Sequence, residues 1–158
     1  MSKKIVFMGT PEFAVPSLKE LKNSDYEILT VYSQPASKAN RGQKLTKSEV
    51  EITSEKLSLK LRTPLLLDND EEYNFLKSIK PDMVVVVAYG KIIPKRFLNL
   101  PKFGFINIHA SLLPKWRGAA PMQRSIMNLD NETGITIMKI VEELDAGPII
   151  HQDKIKIS

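Results

Sequence analysis

Apolar positions in this chain fall into short runs separated by stretches of mixed polarity. Ile5-Val6-Phe7-Met8 ends at Gly9 and reads as a buried strand. Thr10-Pro11 and Val15-Pro16 each offer a helix start, because proline is tolerated in the first helical turn. The helix they open places Leu18 and Leu21 on one face and runs to about Asn23. Residues 27–33 form a second strand. Residues 34–47 are polar, contain Gly and Pro, and predict a long irregular loop. Ser48 is a candidate cap for a further helix, with Val50, Ile52, Leu57 and Leu61 in rough periodicity. A short strand over residues 64–67 and a helix over 70–80 follow. Residues 82–88 give the clearest strand, since Val84-Val85-Val86-Val87 leaves no polar face, as in a parallel sheet covered on both sides. Further strands are expected over 105–111, 135–141 and 148–157, with a helix over 120–129.

Alternating strands and helices predict an α/β fold, Rossmann-like, with a mostly parallel sheet and helices on both faces. Such sheets bind ligands beyond the carboxyl ends of their strands, near the point where strand order reverses. Residues 9–10, 88–90, 108–114 and 144–147 are the candidates for that rim. A length of 158 residues suits one domain. The last expected strand has no closing helix after it, which predicts a domain truncated at its C-terminal end.

A hydrophobic content of 42% with 26% charged residues excludes a disordered chain. The longest apolar run, residues 83–88, is far too short to cross a bilayer. Lys3 and Lys4 lead straight into a strand rather than into a secretion signal. Cysteine is absent, which removes disulfides and thiolate metal sites and fits a reducing compartment, hence the cytoplasm. The net charge of +5 matters only if it is concentrated. It is concentrated in residues 34–47, where Lys38, Arg41, Lys44 and Lys47 occur with no acidic residue.

Three places carry candidate chemistry. Gly9 is followed by Thr10-Pro11-Glu12-Phe13, which lacks the glycine spacing that lets backbone approach a pyrophosphate. Nicotinamide and flavin are disfavoured, and a tight strand-to-helix turn accounts for Gly9. Asn107 and His109 stand two apart on a strand and so share a face. An amide can donate to a developing oxyanion, and an imidazole can donate a hydrogen bond and move a proton near neutral pH, which suits acyl-type transfer. A structural hydrogen-bonding role explains the pair equally well when it is taken alone. The segment 115–121 that follows forms a wide loop able to wall a site. Asp145 lies in Leu144-Asp145-Ala146-Gly147-Pro148, a turn between two strands, and spacing alone does not bring it to His109. His109 and His151 lack a ligand pattern, so no metal is expected.

Residues 8–16, 107–121, 133–136 and 144–149, in this order, resemble the methionyl-tRNA formyltransferases, a branch of the folate-dependent formyltransferases. The resemblance implies a catalytic set of Asn107, His109 and Asp145, with Asn107 and His109 stabilising an oxyanion and Asp145 holding His109 or a water. It implies 10-formyltetrahydrofolate as the formyl donor, with Ser111, Leu112, Leu113 and Pro114 in its binding segment and Tyr89, Gly90, Lys91 and Ile92 lining the pteridine pocket. It further implies that Lys38, Arg41, Lys44 and Lys47 meet the acceptor end of initiator methionyl-tRNA. On this reading the chain is a monomeric catalytic domain over residues 1–158, without metal or membrane partners, and lacks the C-terminal β-barrel domain of the family. The alternatives are another folate-dependent formyltransferase acting on a nucleotide-linked amine, and a non-catalytic tRNA-binding fragment.

Overall fold

The computed structural model of the chain describes residues 2–39 and 41–158. Among the described residues, nine strands and four helices follow in this order: β1 (Lys4–Gly9), α1 (Val15–Lys22), β2 (Glu27–Tyr32), β3 (Ser37–Ala39), β4 (Lys44–Thr46), α2 (Glu49–Lys56), β5 (Leu61–Arg62), α3 (Asp70–Ile79), β6 (Met83–Val87), β7 (Phe105–His109), α4 (Pro121–Met127), β8 (Glu132–Lys139) and β9 (Ile149–Lys156). Single 3-10 turns at Glu12–Ala14 and Lys95–Phe97 complete the ordered backbone.

Seven strands form one sheet in the order β5-β2-β1-β6-β7-β8-β9. The first five are parallel. β8 runs antiparallel to β7, and β9 antiparallel to β8. This matches the expected mostly parallel, Rossmann-like sheet. Strand order reverses between β1, which leads outward to β2 and β5, and β6, which leads the other way. The carboxyl ends of β1, β6 and β7 therefore meet at the rim where such folds take ligands.

The valine strand sits where its composition predicts. β6 lies between β1 and β7, with Val84 to Val87 buried. Alternate side chains feed two cores. Val84, Val86, Val6, Met8, Tyr32 and Phe105 pack on the α3 side, with Leu76 of that helix. Val85, Val87, Phe7 and Val31 pack on the other side, against Leu18 of α1 and Val50 of α2. α2 and α3 start at side-chain caps: Ser48 Oγ accepts from the Glu51 amide at 3.0 Å, and Asn69 Oδ1 from the Glu72 amide at 2.8 Å.

Two expectations are corrected. Residues 64–67 are not a strand; the pairing with β2 is made earlier, by Leu61 and Arg62. Pro64 has no amide hydrogen to continue the ladder, and Leu65 and Leu66 are 84% and 63% exposed, so burial gives no reward for extension. Residues 34–47 are not irregular throughout. They carry a two-stranded antiparallel hairpin, β3 with β4, pairing Ser37 with Thr46, Lys38 with Leu45 and Ala39 with Lys44. Its strand β4 is wholly exposed, so no apolar alternation could announce it.

One polar group in the core is held by three donor groups. Glu72 is buried and accepts from Tyr32 Oη at 2.5 Å and, in bidentate fashion, from Arg62 Nε and Nη2 at 2.9 Å each. Burial, reinforced by Glu72, pushes the Tyr32 phenol far above its usual range, so it serves only as a donor. Removing the carboxylate strands a buried hydroxyl and a largely covered guanidinium. Glu72→Ala is expected to destabilise the fold by roughly 3 kcal/mol, read as a lower urea midpoint at unchanged slope. A stability within about 0.5 kcal/mol of wild type would sink this account.

Candidate active site

Strand β7 delivers Asn107 and His109 to the rim. Phe105 points to the α3 side of the sheet, and by alternation Asn107 and His109 follow it on that face. Asn107 is half-buried beside Val86 of β6 and Met138 of β8; His109 is buried and pairs with Thr136. The expected shared face is what the strand provides.

Asp145 arrives from the turn between β8 and β9. Its carboxylate Oδ2 lies 3.8 Å from His109 Nδ1, and both side chains are nine-tenths buried. The same oxygen accepts from the Gly118 amide at 2.7 Å, which orients the carboxylate. Two backbone features make this approach possible. Asp145 adopts a left-handed conformation at φ 50°, one that aspartate tolerates better than most residues. Gly147 closes the turn so tightly that a Cβ there would run into the Lys139 carbonyl. The turn is then pinned by the Lys139 amide donating to the Pro148 carbonyl at 3.0 Å.

Nε2 of His109 lies 2.9 Å from the Trp116 carbonyl. A carbonyl only accepts, so this nitrogen carries the hydrogen. In the neutral ring, Nδ1 is then a bare acceptor facing Asp145, which accounts for a separation longer than a hydrogen bond. Protonation at Nδ1 would turn that contact into an attraction. The arrangement is suited to receiving a proton.

The loop that supplies the Trp116 carbonyl is held on both sides. Trp116 sits at φ 59°, a conformation that costs a bulky residue of order 1–2 kcal/mol. Its indole Nε1 donates to Asp130 Oδ2 at 2.7 Å, while Lys115 Nζ and Asn128 Nδ2 donate to Asp130 Oδ1 at 2.8 and 2.7 Å. These bonds, led by that from Lys115, lower the Asp130 carboxyl to about 2. At the start of the loop, Thr136 Oγ1 donates to the Ser111 carbonyl at 2.7 Å and accepts from the Leu113 amide at 3.0 Å. Gln152 Nε2 donates both to Thr136 Oγ1 and to the Leu113 carbonyl.

The remaining expected site residues are placed as follows. Ser111 is fully buried and donates its hydroxyl to the Lys115 carbonyl at 2.6 Å, so its polar groups serve the loop. Leu113 is buried, Leu112 half-buried and Pro114 exposed. Residues 89–92 leave the end of β6 beside β7 and border the same rim. Tyr89 is buried there, its phenol pushed well above the usual range by burial, and its hydroxyl has no partner among the described residues. The Tyr89 carbonyl accepts from Thr10 Oγ1 and Gln34 Nε2, tying this segment to the loops after β1 and β2. Gly90, at φ 84°, leaves room for the Gln34 amide, onto which a Cβ would fall. Lys91 Nζ donates to the Leu65 carbonyl, and Ile92 is 87% exposed.

The hairpin presents Lys38, Arg41 and Lys44 to solvent. Lys38 shares a face with its partner Leu45, and Lys44 lies on the opposite face. Lys47 is paired to Glu55 at 2.8 Å, which raises its pKa and removes it from the free cations. Sequence reasoning missed Asp130 and the Trp116 carbonyl. The only signal was the wide loop over 115–121 directly after the Asn-x-His strand. Among the described residues, no group of three or more His, Asp or Glu could hold a metal ion, and no helix is long and apolar enough to cross a membrane.

Trp116 is the only tryptophan of the chain, so its emission reports the loop directly. A carboxyl with a lowered pKa contributes its stabilisation above the ordinary value of about 3.8, and loses it only as pH falls through about 2. Emission is therefore expected to stay constant from pH 5 to about 3 and to change around pH 2, with Asp130→Asn removing the transition. A wild-type midpoint near 4 would contradict the bonding described.

Comparisons with known proteins show the family. Residues 3–158 match the family model described as formyl transferase. The chain is 62% identical over 158 residues to the methionyl-tRNA formyltransferase of Pelagibacter ubique, covering 99% of this chain and 51% of that protein. It is 47% identical over 154 residues to the methionyl-tRNA formyltransferase of a Wolbachia from Drosophila simulans, covering 98% and 52%. It thus spans about half the length of these curated relatives. Among solved structures, phosphoribosylglycinamide formyltransferase from Anaplasma phagocytophilum superposes with a TM-score of 0.81 at 21% identity, over 100% of this chain and 74% of that one. A formyltetrahydrofolate deformylase from Pseudomonas syringae gives 0.76 at 26% identity, over 100% and 52%. By the family match over nearly its whole length, this chain belongs to the formyl transferase family.

Proposed function

We propose that this chain carries the formyl-transfer site of a methionyl-tRNA formyltransferase, which moves a formyl group from 10-formyltetrahydrofolate to the α-amine of initiator methionyl-tRNA for translation initiation. The observation that carries the reading is the meeting of His109 and Asp145 beside the strand that bears Asn107. Identity to relatives so named, over the whole of this chain, supports the choice of acceptor. The reading implies a cytoplasmic protein.

In this mechanism the neutral amine attacks the formyl carbon, and its oxygen gains negative charge. The Asn107 amide donates to that oxygen. The attacking nitrogen, now carrying an excess proton, gives it up to Nδ1 of His109, the ring position left free by the Trp116 carbonyl. Asp145 stabilises the resulting imidazolium, which also adds positive charge beside the oxyanion. Return of the proton to the departing folate nitrogen breaks the old carbon–nitrogen bond and restores the ring. Residues 89–92 and 111–114 would wall the folate, with backbone groups reading the pterin edge. Lys38, Arg41 and Lys44 of the hairpin would neutralise phosphates near the acceptor end, an attraction that weakens steeply with salt.

The decisive assay is formylation of methionyl-tRNA by the full-length gene product with 10-formyltetrahydrofolate; absence of turnover there, with turnover on another amine, would overturn the acceptor assignment. Asn107→Ala, His109→Ala and Asp145→Ala are each expected to lower kcat by about a hundredfold or more while circular dichroism stays native. Near-native rates in all three would refute the catalytic set. Arg41→Ala is expected to raise KM for the tRNA and reduce the salt dependence, leaving folate affinity unchanged. Equal loss of folate binding would instead mark a folding defect and remove the hairpin from the tRNA site.

A further inference from the structure

We infer that Asp130 is a positioning residue for formyl transfer, acting on His109 through the indole and carbonyl of Trp116. The inference rests on the reading above and adds to it a residue outside the Asn-His-Asp set.

The physical chain has two links. Asp130 lies between α4 and β8, where its own amide donates to the Ser125 carbonyl at 3.0 Å. Its side chain is only 6% exposed, and its Oδ2 receives the Trp116 indole at 2.7 Å. The second link is the backbone carbonyl of the same tryptophan, 2.9 Å from His109 Nε2. Aiming that carbonyl at the ring coincides with the strained φ of 59° at Trp116. A strained conformation persists only where its surroundings over-determine it. Asp130 supplies that constraint from the side-chain end. Lys115 also binds Asp130, but its side chain is 55% exposed and screened by solvent, so the indole link is the one expected to carry the effect.

Without the anchor, Trp116 relaxes toward ordinary φ and its carbonyl turns away. Nε2 then loses the acceptor that fixes its hydrogen, and the ring divides between tautomers. Only one of them leaves Nδ1 bare toward Asp145 to take the proton of the attacking amine. The cost falls on the chemical step rather than on substrate binding.

The test uses the full-length gene product with Asp130→Ala, Trp116→Phe, their combination, and Asp130→Asn. Trp116→Phe keeps the backbone carbonyl but removes the indole donor. Asp130→Asn keeps an acceptor oxygen for the indole but loses the ion pair to Lys115. Each single removal is expected to lower kcat by about ten- to a hundredfold, with KM for both substrates within about twofold. The double variant should be no slower than the slower single one, because both break one path. Asp130→Asn should recover most of the rate. Multiplicative losses, a loss carried by KM, or no recovery in Asp130→Asn would overturn the inference.

A second measurement is independent of activity. Nitrogen-15 shifts of His109, assigned against its one companion histidine with a His151→Asn variant, should report hydrogen on Nε2 and a bare Nδ1 in the neutral ring of the wild type. Both nitrogens should shift toward averaged values in Asp130→Ala. Unchanged shifts in that variant would overturn the positioning role even if the protein formylates another amine, whereas changed shifts without methionyl-tRNA formylation would locate the failure in the acceptor assignment.

Discussion

A carbonyl oxygen can accept a hydrogen bond and cannot donate one, so the 2.9 Å contact between Trp116 and His109 decides where the hydrogen of that ring sits. Everything reactive in the site follows from this. With hydrogen on Nε2, the other nitrogen is a base, and the nearby charge is the carboxylate of Asp145 at 3.8 Å. A neutral ring gains nothing from that carboxylate, whereas a protonated ring does. In the proposed mechanism Asp145 would therefore reward the imidazolium and not the resting imidazole, the differential stabilisation that catalysis requires.

Holding such an arrangement takes backbone that most sequences avoid. Trp116 and Asp145, on either side of the imidazole, both adopt left-handed conformations. Each is stabilised by bonds from elements distant in sequence: Trp116 by Asp130, and Asp145 by the Gly118 amide. The loop between His109 and Trp116 is stitched to β8 and β9 through Thr136 and Gln152. By register, β8 and β9 set the Thr136 and Gln152 side chains beside the end of β7, and the turn that leaves β8 at the level of Ile106 folds back to carry Asp145 to His109.

The sheet and its two cores were legible because burial writes itself into apolar spacing. Four consecutive valines meet only one demand, a strand covered on both faces, and β6 occupies the centre. The pairing of Asn107 with His109 was legible for a similar reason, since a period of two fixes a shared face. Other features left no such mark. The hairpin is exposed, and three residue pairs carry too little patterning to distinguish a ribbon from a loop. Apolar content alone predicted a strand over residues 64–67, but the ladder with β2 stops at Arg62, before Pro64, because a ladder counts amide hydrogens before it counts leucines. The approach of Asp145 to His109 depends on a glycine without room for a methyl group, a condition set by a carbonyl of another strand. Asp130 was invisible because its effect passes through a backbone oxygen, which every residue possesses.

One carbonyl also constrains how the two sides of the rim communicate. Thr10 and Gln34 both donate to Tyr89, at 2.7 and 3.1 Å, and the Gln34 amide in turn donates to Thr10 Oγ1 at 3.3 Å. The base of the basic hairpin, the turn after β1 and the segment leaving β6 are therefore one hydrogen-bonded knot. Gly90 permits it, since any larger residue would occupy the space of the Gln34 amide. Swinging the hairpin at its base would break the two bonds that Gln34 donates, one to the Tyr89 carbonyl and one to Thr10 Oγ1, while Thr10 keeps its own bond to that carbonyl. Lys38, Arg41 and Lys44 lie beyond this knot, on a ribbon whose exposed faces make few contacts with the sheet. The Tyr89 carbonyl therefore ties the base of the basic ribbon to the turn after β1 and to the segment that leaves β6, and a change at any one of the three is felt at the other two.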